Sequence, residues 1–197
     1  MIPAAVARRR GRRQFILVAS LFLVPVATAI LLYTSSGWRP MANAHGTLID
    51  PPRPLTVAGI SLPDSRPAPP DVFLRHWSVI IPAEGPCDER IGALLDELAR
   101  VRIALDKDAG RVRRVLLHGG QCGGFEFHSR DADLLVLAAT GLEGAAFRAQ
   151  FPPAMDGRHG IYIVDPHGNL MMSYPAAGSA RGLLKDLERL LRLSTIG

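Results

Sequence analysis

The chain has 197 residues, of which 48% are hydrophobic and 21% are charged, so it can fold around a core and is not a disordered polyelectrolyte. Its formal charge of +5 is located near the N-terminus, in Arg8, Arg9, Arg10, Arg12 and Arg13. Because the rest of the chain is neutral, nucleic-acid binding is not expected. Two cysteines and six histidines exclude a disulfide scaffold and a multi-finger zinc protein, but they allow one small thiol or metal site.

The residues after the arginines predict a membrane crossing. Residues 15–33 carry no charge, and as a helix they would span roughly 28 Å of hydrocarbon. The positive-inside rule then makes residues 1–14 a basic cytoplasmic tail and sends the rest of the chain to the periplasm of a bacterium. The alternative is a cleaved signal peptide, with Ala27, Thr28 and Ala29 as the small-residue site. We therefore expect a single-pass inner-membrane protein in an oxidising compartment, where cysteines can pair.

Eight of the sixteen prolines lie in the next segment, residues 34–71. Because proline removes amide donors and favours an extended chain, this segment predicts a spacer without helices. Residues 55–62 are the one stretch in it that is typical of a short strand. The folded domain is expected to occupy residues 72–197.

Strands and helices alternate in the sequence of that domain. Apolar runs and leucine periodicity predict strands at residues 76–81, 111–117, 134–138, 160–164 and 169–174, and helices at residues 88–105, 142–151 and 181–193. Residues 118–129 contain four glycines and predict a loop. Right-handed crossovers make the first two strands parallel, and the late hairpin adds an antiparallel pair. We expect an α/β protein with a mixed sheet and helices on both faces, in the thioredoxin-like order.

Several features of the chain resemble those of a known family. They are the strand at residues 77–81 followed by Cys87 and an amphipathic helix, Ala139-Thr140-Gly141 before a helix, the strand-turn-strand unit at residues 161–169, and the N-terminal anchor. Over residues 72–193 the chain resembles the membrane-anchored Sco family of cytochrome c oxidase assembly proteins. The resemblance implies copper handling by two thiols in a C-x-x-x-C arrangement and one distant histidine. It also implies partners among oxidase subunits or assembly factors.

The chain departs from that pattern, because Ile91 stands where the second thiol is expected. Loops that leave neighbouring parallel strands lie at one edge of a sheet, so Cys122 can approach Cys87 there. We hypothesise that the two cysteines form either a disulfide or a two-thiol copper site. The alternative is two unpaired thiols.

Three histidines are candidate third ligands for the metal. His159 lies near the position of the Sco family histidine, so the resemblance makes it the main candidate. The alternative is that it is a solvated loop residue. His118 and His128 flank the Cys122 loop and could also offer an imidazole.

The expected function is assistance in cytochrome c oxidase assembly, with copper delivery as its specific form. A second hypothesis is an interaction module that keeps the fold without metal or redox turnover. A third is a thiol–disulfide oxidoreductase that uses Cys87 and Cys122. Apart from that third hypothesis the residues do not favour an enzyme, since the chain lacks a C-x-x-C pair and a phosphate-binding loop, and Glu84 replaces the hydroxyl residue of a peroxiredoxin. No catalytic residue is therefore assigned.

Overall fold

The computed structural model describes residues 4–34, 44–83, 85–122, 133–153 and 160–196. Its contacts divide the chain into two compact units, Met1–Asn43 and Ala44–Gly197. The first unit contains helix α1, Ala4–Thr34, which includes Pro25. A helix over residues 15–33 is thus confirmed. Within the described part of the chain, no helix is both long enough and apolar enough to cross a membrane.

The second unit is built on a six-stranded sheet with the order β1-β6-β5-β2-β3-β4. Its strands are β1 Thr47–Pro54, β2 Trp77–Ala83, β3 Val112–His118, β4 Leu134–Ala138, β5 Gly160–Val164 and β6 Asn169–Pro175. The pairs β2–β3 and β3–β4 are parallel. The pairs β2–β5, β5–β6 and β1–β6 are antiparallel. The predicted mixed sheet is therefore confirmed, including the parallel pairing of the first two predicted strands.

The helices cover both faces of this sheet, as predicted. They are α2 Glu89–Ala104, a 3-10 helix Asp106–Arg111, α3 Gly141–Arg148 and α4 Ala180–Leu193. The apolar stripes of α2 and α4 pack on one face, where Leu98 and Leu187 meet Ile81 and Ile163. On the other face, Phe147 of α3 packs with Ile80. Burial of such a side chain stabilises the fold by about 1.5–3 kcal/mol.

The segment predicted to be a spacer contains a strand of the sheet. β1 lies at the sheet edge and pairs with β6, with Thr47 opposite Ser173. Three prolines are tolerated in it because an edge strand needs ladder hydrogen bonds on one side only. The strand predicted at residues 55–62 is wrong, since the described residues there form isolated bridges of Ser61 instead. The described chain is thus part of the second unit from Ala44 onward.

Strand β2 is the centre of the domain and sets the position of the loop at its carboxyl end. All seven of its residues are buried. It is hydrogen-bonded to β3 on one side and to β5 on the other. A strand fixed on both sides holds the start of its outgoing loop in a defined place.

Candidate functional site

Cys87 lies in the junction between β2 and α2. The chain turns after Ala83 with the help of Gly85, whose φ of 145° is a conformation that side chains disfavour. Asp88 then caps α2, because its carboxylate accepts hydrogen bonds from the backbone N–H groups of Arg90 and Ile91 at 3.1 and 3.2 Å. Such a cap stabilises a helix by about 1 kcal/mol. It fixes the backbone next to the half-buried Cys87.

Cys122 lies in the loop that leaves the neighbouring strand. Ala83 at the end of β2 is directly opposite His118 at the end of β3, so the two loops start at the same level. Cys87 and Cys122 form a disulfide with a Cα–Cα distance of 4.8 Å, within the range of protein disulfides. The predicted approach of the two cysteines is confirmed, in its disulfide form. The alternative of two unpaired thiols is wrong for this structure.

The turn from His118 to Cys122 is closely held. The backbone N–H of Gly120 donates to Nδ1 of His118 at 3.1 Å. The carbonyl of His118 accepts a hydrogen bond from the N–H of Ala139 at 2.7 Å. Gly120 has a φ of 96°, and a Cβ there would lie only 3.0 Å from Cγ2 of Thr140. A residue with a side chain at position 120 would therefore disturb the loop that carries Cys122.

His118 has a defined protonation state in this arrangement. Burial lowers the pKa of its imidazole, so the ring is neutral at neutral pH. Since Nδ1 accepts a hydrogen bond, the ring proton is on Nε2. Neither nitrogen then offers a free lone pair to a metal, and this arrangement does not favour His118 as a ligand.

The other candidate metal ligands are two histidines and the two cysteines. His159 and His128 lie outside the described residues, so their roles stay predictions. Among the side chains that the structure describes, no group of three or more His, Cys, Asp or Glu could hold a metal ion. The sulfurs of Cys87 and Cys122 are bonded to each other and would become soft thiolate donors, suited to Cu(I), only after reduction.

A largely buried ion pair joins β3 to the residue before β4, towards the ends of these strands that are remote from the disulfide. Arg114 of β3 donates to both carboxylate oxygens of Asp133, at 2.7 and 3.2 Å, and to the carbonyl of Leu95 in α2 at 2.9 Å. Burial raises the pKa of Asp133, but the hydrogen bonds and charge of Arg114 and the charge of Arg102 outweigh it and hold that pKa below its ordinary value. The sequence carried one signal for this pair. Arg114 lies on the same face of its strand as the apolar residues Val112 and Leu116.

A second polar cluster, the Asp186 cluster, joins α4 to the edge of the sheet. The carboxylate of Asp186 accepts from the backbone N–H groups of His45 and Gly46 at 2.8 and 3.1 Å, and from the hydroxyl of Tyr174 at 2.9 Å. The ring Nδ1 of His45 lies 3.2 Å from its other oxygen. Sequence analysis missed this cluster. The available signal was a carboxylate on the leucine stripe of α4, between Leu183 and Leu187.

Comparison with solved structures finds similar folds. Arabidopsis thaliana ScoI with copper bound is 15% identical, with a TM-score of 0.54 over 77% of this chain and 100% of that chain. BsSco, described as a member of the Sco family of cytochrome c oxidase assembly proteins, is 12% identical, with a TM-score of 0.54 over 75% and 99% of the two chains. Bradyrhizobium japonicum ScoI with copper bound is 18% identical, with a TM-score of 0.50 over 73% and 98%. At such identities the likeness shows the thioredoxin-like fold alone.

Comparison of the sequence itself identifies the family. A search of curated proteins finds no match. The family model described as "Transmembrane-like, thioredoxin-like, C-terminal domain" matches residues 77–194, which span β2 to the end of α4. Because this match covers more than half of the chain, the protein belongs to the family of transmembrane-like, thioredoxin-like C-terminal domains.

Proposed function

We propose that this protein handles Cu(I) for the assembly of cytochrome c oxidase, with Cys87 and Cys122 as its pair of metal-binding thiols. The observation that carries the proposal is the bond between these two cysteines, which brings two sulfurs together where β2 and β3 end. The fold supports it, since similar solved structures include two ScoI proteins with copper bound. Copper is here the cargo of the protein.

The chemistry requires the disulfide to open first. Two electrons and two protons convert the pair to two thiols, and an external dithiol that closes its own disulfide can supply them. Cu(I) then displaces both protons and is held between two thiolates, which are the soft donors that it prefers. His159 is the proposed third donor, on sequence grounds alone.

Titration of the full chain with Cu(I) under anaerobic conditions tests this proposal. The reduced protein is titrated against a chromophoric Cu(I) chelator, next to the oxidised protein and the variants Cys87→Ser, Cys122→Ser and His159→Ala. We expect one Cu(I) per reduced chain, no competition by the oxidised chain, and loss of tight binding in either serine variant. His167→Ala is the matched control, because His167 lies in the β5–β6 turn, away from the disulfide. Tight binding that survives both serine substitutions, or no binding by the reduced protein, contradicts the proposal.

The disulfide also favours a second candidate, a thiol–disulfide oxidoreductase in which one cysteine attacks a substrate and the other resolves the mixed disulfide. Insulin reduction by the full chain with dithiothreitol tests this function. Turnover that is lost in Cys87→Ser supports it. A chain that shows neither turnover nor copper binding is left with the interaction module as its function.

We further propose that α1 attaches the protein to the bacterial inner membrane, with residues 1–14 in the cytoplasm and the thioredoxin-like domain in the periplasm. The support comes from the sequence, in which five arginines precede the uncharged residues 15–33. Alkaline extraction of membranes and protease treatment of intact spheroplasts test the two parts of this proposal. A chain that is extracted as a soluble protein, or a domain protected in intact spheroplasts, contradicts it.

A further inference from the structure

The loop that carries Cys122 depends on the side chain with which it begins. The imidazole Nδ1 of His118 accepts the backbone N–H of Gly120, two residues before Cys122. The carbonyl of His118 is held in turn by the N–H of Ala139. His118 is therefore fixed to the sheet and, through its ring, fixes the backbone close to one sulfur of the disulfide.

This contact exists only while the imidazole is neutral. An imidazolium ion has two N–H donors and no acceptor, so a protonated His118 cannot receive the N–H of Gly120. Burial lowers the pKa of His118, which keeps the acceptor available at neutral pH.

The described strand partners of His118 do not titrate. Its strand partners are Ala83 on β2 and Ala138 on β4. From α3, the guanidinium of Arg148 faces the turn: its Nη1 would lie 3.2 Å from a Cβ on Gly119, and it donates to the carbonyl of Ala139. Arginine stays cationic at every pH of interest, so its charge is constant while His118 titrates.

We propose that His118 is a positioning residue for the Cys87–Cys122 couple. Its Nδ1 holds the turn in the form that closes the disulfide, and protonation of the ring releases the turn and favours the dithiol. The inference rests on the proposed function, which requires the pair to open, and it assigns to His118 no contact with the metal.

The equilibrium between the protein disulfide and dithiothreitol can measure the effect of His118 protonation. Reduction by dithiothreitol breaks the S–S bond, forms two S–H groups and closes the cyclic disulfide of the reagent, so two electrons and two protons pass from one pair to the other. No net proton is consumed when all thiols are protonated. At acid pH the equilibrium constant is therefore independent of pH unless another group binds its proton more tightly in one of the two forms.

The full chain is equilibrated with reduced and oxidised dithiothreitol between about pH 7 and about pH 4.5, where an ordinary histidine titrates. A small selenol catalyses exchange, and alkylation followed by mass spectrometry gives the reduced fraction. We expect the equilibrium constant for reduction to rise about 2- to 10-fold as the pH falls, the effect of losing one hydrogen bond. His118→Asn keeps an acceptor oxygen that does not titrate, so its constant should not change with pH. His167→Asn should behave as the wild type.

A wild-type constant that does not change with pH, or a His118→Asn constant that changes as much as the wild type, overturns the inference. A second measurement needs no variant: NMR titration should give His118 a higher pKa in the dithiol than in the disulfide, and equal values also overturn it. Neither experiment uses copper. Failure of the copper titration would thus refute the proposed metal function and leave the role of His118 to be decided by these results.

Discussion

Removal of the carboxylate of Asp186 should weaken the attachment of the segment before β1 to α4 and β6. Asp186 is 5% exposed and holds three backbone or side-chain donors at 2.8–3.1 Å, which come from His45, Gly46 and Tyr174. His45 and Gly46 immediately precede β1, whereas Tyr174 belongs to β6. The cluster therefore ties the chain before β1 to a side chain of α4 that lies 141 positions from His45.

The expected loss in the free energy of unfolding is the sum of the losses at the three hydrogen-bond donors. In Asp186→Ala the hydroxyl of Tyr174 is left buried without a strong acceptor, which costs about 1–3 kcal/mol. The sulfur of Met172, 3.6 Å from this hydroxyl, is a weak acceptor. The N–H groups of His45 and Gly46 are nearer to solvent, and each should cost roughly 0.5 kcal/mol because water can replace the carboxylate. The sum is about 2–4 kcal/mol, whereas Asp186→Asn keeps one acceptor and should lose about half of that.

The pH dependence has a definite sign. Burial raises the pKa of Asp186, but hydrogen bonds from His45, Tyr174 and Gly46 outweigh it, and the pKa lies below its ordinary value in the folded protein. A carboxyl group of this kind stabilises the fold above its unfolded pKa, which is about 3.9, and the contribution is lost as the pH falls through the folded pKa. The difference between wild type and Asp186→Ala should therefore be full at neutral pH and should shrink below about pH 4.

Urea unfolding of the full chain, followed by circular dichroism, measures these differences. Glu188→Gln is the matched control, since Glu188 is an exposed carboxylate on the same helix and its loss should change stability by less than about 0.5 kcal/mol. If Asp186→Ala unfolds at the same urea concentration as Glu188→Gln, the carboxylate does not anchor β1. A difference that persists unchanged in acid would refute its assignment to the ionised form.

Three further predictions concern stability. Reduction of the disulfide, which closes a loop of 35 residues, should lower the free energy of unfolding by up to about 4 kcal/mol in differential scanning calorimetry, and an unchanged transition would contradict this. Gly120→Ala should lower the melting temperature more than Gly110→Ala, because a Cβ meets Thr140 at position 120 and nothing at position 110. Arg111→Ala should cost about 1–3 kcal/mol in urea unfolding, because the Arg111 guanidinium donates to the carbonyls of Leu191, Ser194 and Ile196 at the end of α4 and beyond it; an effect as small as that of Arg192→Ala would contradict it.

Local signals in the sequence predicted the parts of the fold that depend on local structure. The leucine stripe predicted α2 almost to the residue, because an amphipathic period acts within a few turns. Asp88, predicted as the first residue of this helix, is its cap. The disulfide could be expected from topology, since parallel neighbouring strands bring their loops to one edge.

The features that sequence analysis missed depend on partners far along the chain. The prolines of β1 correctly indicated an extended segment, but whether an extended segment joins a sheet is decided by an edge strand, here β6, more than a hundred residues away. Asp186 stands in a leucine stripe, and its partner His45 gives no local sign of pairing. A buried charge in an apolar pattern indicates that it is paired with another group, but it does not identify that group.

The positions of the two cysteines determine which segment of the chain the disulfide constrains. In a C-x-x-x-C pair both thiols lie on one helical turn, so their separation is set by local backbone geometry. Here one sulfur lies after β2 and the other after β3, and the closing segment is the turn held by His118. The Asp88 cap fixes the backbone on the α2 side, so a change in the bond should affect the turn more than the helix. We therefore expect reduction of this disulfide to depend on the shape of one loop, which His118 influences through the backbone of Gly120.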